Sequence, residues 1–140
     1  MSARLTDQDR RDRAIPEAAL QASIVETGAY LGWHAVHWRP MQNRRGVWQV
    51  PFEGRLGKGW PDLTMVQPER GRLIFAELKR EVGLLSQDQE TVLDLLRQLA
   101  GPRDVGGIVV PTVEVYVWRP SDIRDPIEQS AVFAVLSRRP

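Results

Sequence analysis

Residues 57–79 read GKGWPDLTMVQPERGRLIFAELK. Runs of β-forming residues at 62–66 and 72–79 flank Gln67-Pro68-Glu69-Arg70-Gly71, a turn by composition, so the stretch predicts an antiparallel hairpin. Side chains alternate along a strand, which puts Glu77 and Lys79 on one face and Leu78 on the other. Paired strands lie about 5 Å apart, so Asp62 at the start of one can face Glu77 near the end of its neighbour. Carboxylates placed in this way repel unless a cation lies between them, and oxygen ligands suit Mg2+ or Mn2+. Lys79 points toward the same place, where an ammonium could orient an attacking water or stabilise developing negative charge. Taken alone, an E-x-K on a strand is an ordinary surface pair, and an Asp after Pro is an ordinary turn residue. The combination is harder to explain as surface decoration.

The chain has 140 residues, 42% hydrophobic and 26% charged, a length and balance that predict one globular domain with a sizeable core. We expect residues 1–13 to be a flexible polar start and residues 14–140 to form that domain. The chain contains no Cys, which excludes disulfides, thiolate zinc sites and cysteine nucleophiles. His34 and His37 are the only histidines, and their spacing on a strand places them on opposite faces, against a metal pair. No apolar run approaches the roughly 20 residues of a membrane span, and the charged N-terminus lacks the apolar centre of a secretory signal. An intracellular protein is expected. Although the net charge is only +1, Arg39, Arg44, Arg45, Arg55 and Lys58 cluster in one loop region with Glu53 as the sole acid. That region suits nucleic acid or is simply solvated. Core packing accounts for most of the five Trp.

Working outward from the hairpin, PEAALQASIVETGAYL (16–31) has a helical apolar pattern, with Pro16 suited to its first turn and Gly32 ending it. WHAVHW (33–38) follows as a strand, and 41–60 predict a short hairpin arm or an ordered loop. Beyond the central hairpin, Ser86 and Gln89 form a capping-box pattern at the start of a helix. Its apolar face is predicted at Val92, Leu95, Leu96 and Leu99, and Gly101-Pro102 stops it. TVEVYVW (112–118) alternates as the last core strand, and the C-terminal segment adds a short turn of helix. The order helix, strand, strand, strand, helix, strand predicts a mixed α/β unit with helices on the faces of a small sheet.

The stretch GKGWPDLTMV…GRLIFAELKREVGLLSQDQ resembles the PD-(D/E)xK nuclease family, and within it the virus-type replication and repair (VRR-NUC) branch. That branch is carried here by the G-x-PDL motif, the E-x-K strand and the run Gly83-Leu84-Leu85-Ser86-Gln87-Asp88-Gln89; the likeness extends over about residues 14–120. The resemblance implies a restriction-endonuclease-like core in the order αβββαβ and a Mg2+- or Mn2+-dependent DNA endonuclease, located in the cytoplasm of a bacterial or phage-infected cell. It also implies selectivity for branched DNA such as Holliday junctions, and a homodimer. Asp62 and Glu77 would be metal ligands together with the Leu78 carbonyl, and Lys79 the catalytic lysine. Glu17 would join the metal site, with Glu26 as the fallback, although Glu17 also suits the positive end of the helix dipole. Gln89 would steady the lysine, the water or a phosphate, unless capping is its only role. Arg39, Arg44, Arg45 and Lys58 are candidate phosphate contacts, and Trp60 packs the motif or stacks on a base. A non-catalytic nucleic-acid-binding module on the same fold is the alternative.

Overall fold

The structure, a computed structural model, describes residues 3–38, 41–49, 54–101, 103–110 and 112–139, without the side chains of 103–105, 109, 110 and 112. In chain order the elements are helices α1 (Asp7–Ala14) and α2 (Glu17–Tyr30), then strands β1 (His34–His37), β2 (Met41–Gln42), β3 (Trp48–Gln49), β4 (Leu63–Gln67) and β5 (Arg72–Leu78). Helix α3 (Gln87–Arg97), strands β6 (Arg103–Val105), β7 (Ile108–Val110) and β8 (Thr112–Trp118), and helix α4 (Ala131–Ser137) follow. The result is a mixed α/β fold around a four-stranded sheet of order β1-β4-β5-β8. The β1–β4 and β4–β5 pairs are antiparallel and the β5–β8 pair is parallel. A parallel partner cannot be reached by a tight turn, so α3 supplies the crossover between β5 and β8.

Period-two alternation decides what each sheet face carries. Leu63 and Met65 on β4, Ile74, Ala76 and Leu78 on β5, and Trp118 on β8 are buried on one face. Leu20 and Ile24 of α2, Val132 and Leu136 of α4, and Trp33 close over them as one hydrophobic cluster. Helix α2 ends in a Schellman arrangement: Trp33 N–H donates to the Gly28 carbonyl at 2.9 Å and Gly32 N–H to that of Ala29 at 3.2 Å. Gly32 sits at φ +85°, a conformation that side chains resist. The opposite sheet face carries Phe75 and Glu77. Helix α3 turns Val92, Leu93 and Leu96 inward and leaves Leu95 and Leu99 exposed, which corrects the expected face by part of a turn. The apolar run LDLL fits more than one helical stripe, and packing against the sheet chooses between them.

The polar start predicted to be flexible differs most. Residues 7–14 form α1, opened by a capping box between Thr6 and Asp9. Its Asp12 is 1% exposed and accepts from Arg124 Nε at 2.6 Å and from Gln8 Nε2 at 2.9 Å. Composition cannot reveal that partner, which lies 112 positions away. The β6–β7 hairpin was not anticipated either, although Gly106-Gly107, both at positive φ, supplies a turn signal. Of the expected arm at 41–60, residues 41–49 form the β2–β3 hairpin, and residues 50–53 lie outside the described residues. At the start of β5, Arg72 donates to both Glu114 oxygens at 2.7 and 2.8 Å and to the Val135 carbonyl at 2.9 Å, tying α4 to β5.

Gly59 fixes the depth of α3. A Cβ on this residue would lie 2.2 Å from the Asp88 carbonyl oxygen, which is backbone in the first turn of the helix. At Gly59 the 3-10 turn Gly57–Gly59 therefore approaches the main chain of α3 directly. Gly59→Ala should destabilise the fold by about 1–3 kcal/mol through overpacking. Urea unfolding measures this, and an unchanged midpoint would show that the contact is not tight.

Candidate active site

The β4–β5 register pairs Leu63 with Ala76, so one step further Asp62 lies opposite Glu77. Asp62 Oδ2 accepts a hydrogen bond from the Leu78 N–H at 2.9 Å, which fixes the carboxylate at the end of the ladder. Glu77 is 1% exposed. Its Oε1 accepts from Gln89 Nε2 at 2.6 Å and lies 3.6 Å from Lys79 Nζ. Its Oε2 is buried and has no protein hydrogen-bond partner. Buried polar atoms are normally paired, so this oxygen marks a place where a proton or a cation belongs.

The electrostatics agree. Burial, reinforced by the Asp62 charge, pushes the Glu77 carboxyl from 4.5 up to about 8, against the pull of Lys79. Burial also raises Asp62; the Leu78 N–H opposes that shift and the Glu17 carboxylate adds to it. Without a counter-ion, the Asp62–Glu77 pair therefore retains a proton near neutral pH.

Gln89 forms the expected capping box, and its other partner is Glu77 rather than the lysine, water or phosphate expected for it. Its amide oxygen accepts from Ser86 N–H at 2.9 Å to close the capping box, while its nitrogen holds Glu77. Because the helix cap orients the amide, Gln89 presents a donor to Glu77.

Glu17, in the first turn of α2, lines a cavity of about 360 Å3 with Gln21, Trp38, Trp48, Asp62 and Leu78. Glu26 lies in a different cavity beside Tyr30 and Phe133, so the structure places Glu17 rather than Glu26 with the carboxylates. Glu77 is not among the residues that line the first cavity. Among the described residues, no group of three His, Cys, Asp or Glu converges closely enough to hold a metal ion unaided. The donors at hand are carboxylate oxygens and the Leu78 carbonyl, a hard set that fits a Mg2+ or Mn2+ retaining some of its waters. The unpartnered Glu77 Oε2 is the observation that favours this fit.

Arg44 and Arg45 sit on the exposed turn between β2 and β3, where Asn43 Oδ1 accepts from the Arg45 and Val47 N–H groups. They do not line the cavity. Lys58 is exposed on the 3-10 turn against α3, and Arg39 lies outside the described residues. His34 and His37 are exposed on the edge strand β1. Trp60 packs edge-on against Phe75 with ring centroids 5.6 Å apart.

Sequence reasoning did not single out Gln21, Trp38 or Trp48 for the cavity wall. Trp33 and Trp118 are core residues, but Trp38 and Trp48 are 37% and 67% exposed, so core packing does not account for them. The signal available was position: Trp38 N–H donates to the Asp62 carbonyl at 3.1 Å, immediately beside the motif.

The Glu77 shift has a consequence for stability. Between its ordinary value of 4.5 and about 8, the folded state holds a proton that the unfolded chain releases. The raised carboxyl therefore stabilises the metal-free protein fully below about pH 4.5, and this contribution is lost as pH rises through 8. Thermal or urea unfolding in EDTA should show a falling stability across that window. Glu77→Gln imitates the protonated acid and should flatten the slope, and an equal slope in the variant would refute the assignment.

Comparison with protein-family models, with curated proteins and with solved structures finds no match to this chain.

Proposed function

We propose that this protein is a Mg2+- or Mn2+-dependent DNA endonuclease that hydrolyses phosphodiester bonds, with a restriction-endonuclease-like core similar to that of the PD-(D/E)xK nucleases of the VRR-NUC branch. The observation that carries the reading is the Asp62–Glu77 pair, one carboxylate buried with an unpartnered oxygen and Lys79 at 3.6 Å. An isolated ion pair would need only one acid. The chain order of helix, antiparallel strands, helix and parallel strand is in keeping with that core.

Asp62, Glu77, the Leu78 carbonyl and Glu17 would hold the cation. Bound there, it supplies a Lewis acid and a coordinated water made acidic enough to attack a phosphodiester. Lys79 places a positive charge beside the carboxylates, where it can hold a phosphate oxygen as negative charge develops. Gln89 holds Glu77 in one orientation, and Gly59 sets the depth of the helix carrying Gln89. Since the carboxylate pair retains a proton near neutral pH, metal affinity should rise with pH as that proton is released.

The substrate we favour is branched DNA such as a Holliday junction, with a homodimer presenting a site to each strand. A non-catalytic nucleic-acid-binding module is the second reading. It is favoured by the lack, among the described residues, of a three-residue metal cluster.

Incubation with labelled four-way junction, flap, duplex and single-stranded DNA in Mg2+, Mn2+ or EDTA separates these readings. Metal-dependent cleavage is expected, and Asp62→Ala and Lys79→Ala should each lower its rate by about 100-fold or more. Failure to cut any substrate with either metal would rule out the enzyme. Equal cutting of linear and branched DNA would remove only the branch preference.

A further inference from the structure

Helix α2, strand β1 and the central hairpin leave one large feature unexplained. Trp38 follows β1 and Asp62 precedes β4, and the two are joined by the hydrogen bond from Trp38 N–H to the Asp62 carbonyl; among the described residues between them, 41–49 and 54–61 lie outside the four-stranded sheet. Within 41–49 the β2–β3 hairpin carries Met41, Val47 and Trp48, all more than half exposed. Leaving such apolar surface in water is unfavourable unless something covers it. Trp48 nevertheless lines the same cavity as Glu17 and Asp62, with Trp38 beside it. Basic residues occur in the same stretch of chain: Arg44 and Arg45 on the β2–β3 turn, then Arg55 and Lys58 before β4, all exposed.

We propose that this arm is the substrate-selecting element of the site, and that Trp48, with Trp38 next to it, stacks on an unpaired base of the strand whose phosphate reaches Asp62. The inference rests on the nuclease reading and names the substrate class: nucleic acid with at least one unpaired nucleotide at the site. Three features converge on that occupant. The cavity of about 360 Å3 is small, suited to one inserted group rather than to a duplex. An exposed indole offers a planar face that any base can cover, whereas in an intact duplex each base face is already covered by its neighbours. Removing a base from the stack costs free energy, least where pairing is already broken. The cations beyond the cavity supply the charge that a phosphate backbone requires, and they lie on the arm that carries Trp48. A branch point or flap presents such unpaired nucleotides.

The test is a binding measurement in EDTA, where a metal-dependent nuclease cannot cut, followed by cleavage in Mn2+. Labelled oligo-dT, a flap and a blunt duplex are titrated with wild-type protein, Trp48→Ala and Trp48→Phe, with urea midpoints confirming the fold. Wild-type protein should prefer single strand and flap over duplex, and binding should quench tryptophan emission. Trp48→Ala should weaken oligo-dT and flap binding about ten-fold or more, Trp48→Phe much less, and both should bind duplex as wild type does. Arg44→Ala and Arg45→Ala should each reduce the slope of log affinity against log salt by roughly one unit or somewhat less.

Equal affinity of wild type and Trp48→Ala for oligo-dT overturns the proposal, as does a preference for duplex or an absence of nucleic-acid binding. A change in oligomeric state with unaltered DNA binding overturns it as well, and would mark the arm as a protein contact. The nuclease reading is judged separately by the Mn2+ arm: cleavage abolished by Asp62→Ala but indifferent to Trp48→Ala would retain the enzyme and discard the stacking.

Discussion

Strand β5 is hydrogen-bonded on both sides, and that constraint gives Glu77 its chemistry. With β4 antiparallel on one edge and β8 parallel on the other, a side chain at the C-terminal end of β5 cannot turn toward water past an open edge. The Glu77 carboxyl is left beneath α3 with Gln89 on one oxygen and no protein partner on the other. A buried carboxylate in that position must take a proton or a cation. Its raised pKa and the neighbouring Asp62 follow from the same enclosure.

The supports around this group are backbone contacts, which leave little freedom to drift. Asp62 is fixed by the Leu78 N–H, and its own carbonyl is fixed by the N–H of Trp38. Gln89 is oriented by the cap of α3, and α3 is set by a main-chain approach at Gly59 that admits no Cβ. Lys79 continues from β5 with its N–H on the Trp118 carbonyl, so the lysine leaves the sheet beside Glu77 rather than fraying away. Each site residue is thus positioned by a donor or acceptor that secondary structure leaves unused.

The outer parts of the molecule are held differently. Arg124 clasps the buried Asp12 and brings α1 against the body, and Arg72 bridges Glu114 and the carbonyls of the C-terminal helix. These are long-range charge pairs, and nothing in the local pattern around Asp12 or Arg72 announces them. Residues 7–13 therefore read as loose while being packed, and the inward face of α3 read as Val92, Leu95, Leu96 and Leu99, where Leu93 packs in place of Leu95 and Leu99. Where the determining contact is local, as at Gly32, Ser86 or the Pro68–Gly71 turn, the reading and the structure coincide.

By itself, the sequence determined the mixed α/β character, the main strands and helices, the cap formed by Ser86 and Gln89, and the proximity of Asp62, Glu77 and Lys79. Alternation, capping and turn chemistry act over a few residues, and a hairpin brings Asp62 and Glu77 together with little more. Only the tertiary structure decided that Glu17 rather than Glu26 faces Asp62, since both lie on α2 and its packing against the sheet selects which side looks into the cavity. Only the tertiary structure brought Trp38 and Trp48 to the cavity of Asp62, because a hydrogen bond between Trp38 and Asp62 joins positions far apart in the sequence. Burial of Glu77 is likewise a property of the assembled sheet: the strand pattern places the charge on a face, and the crossover that brings β8 alongside closes that face over it.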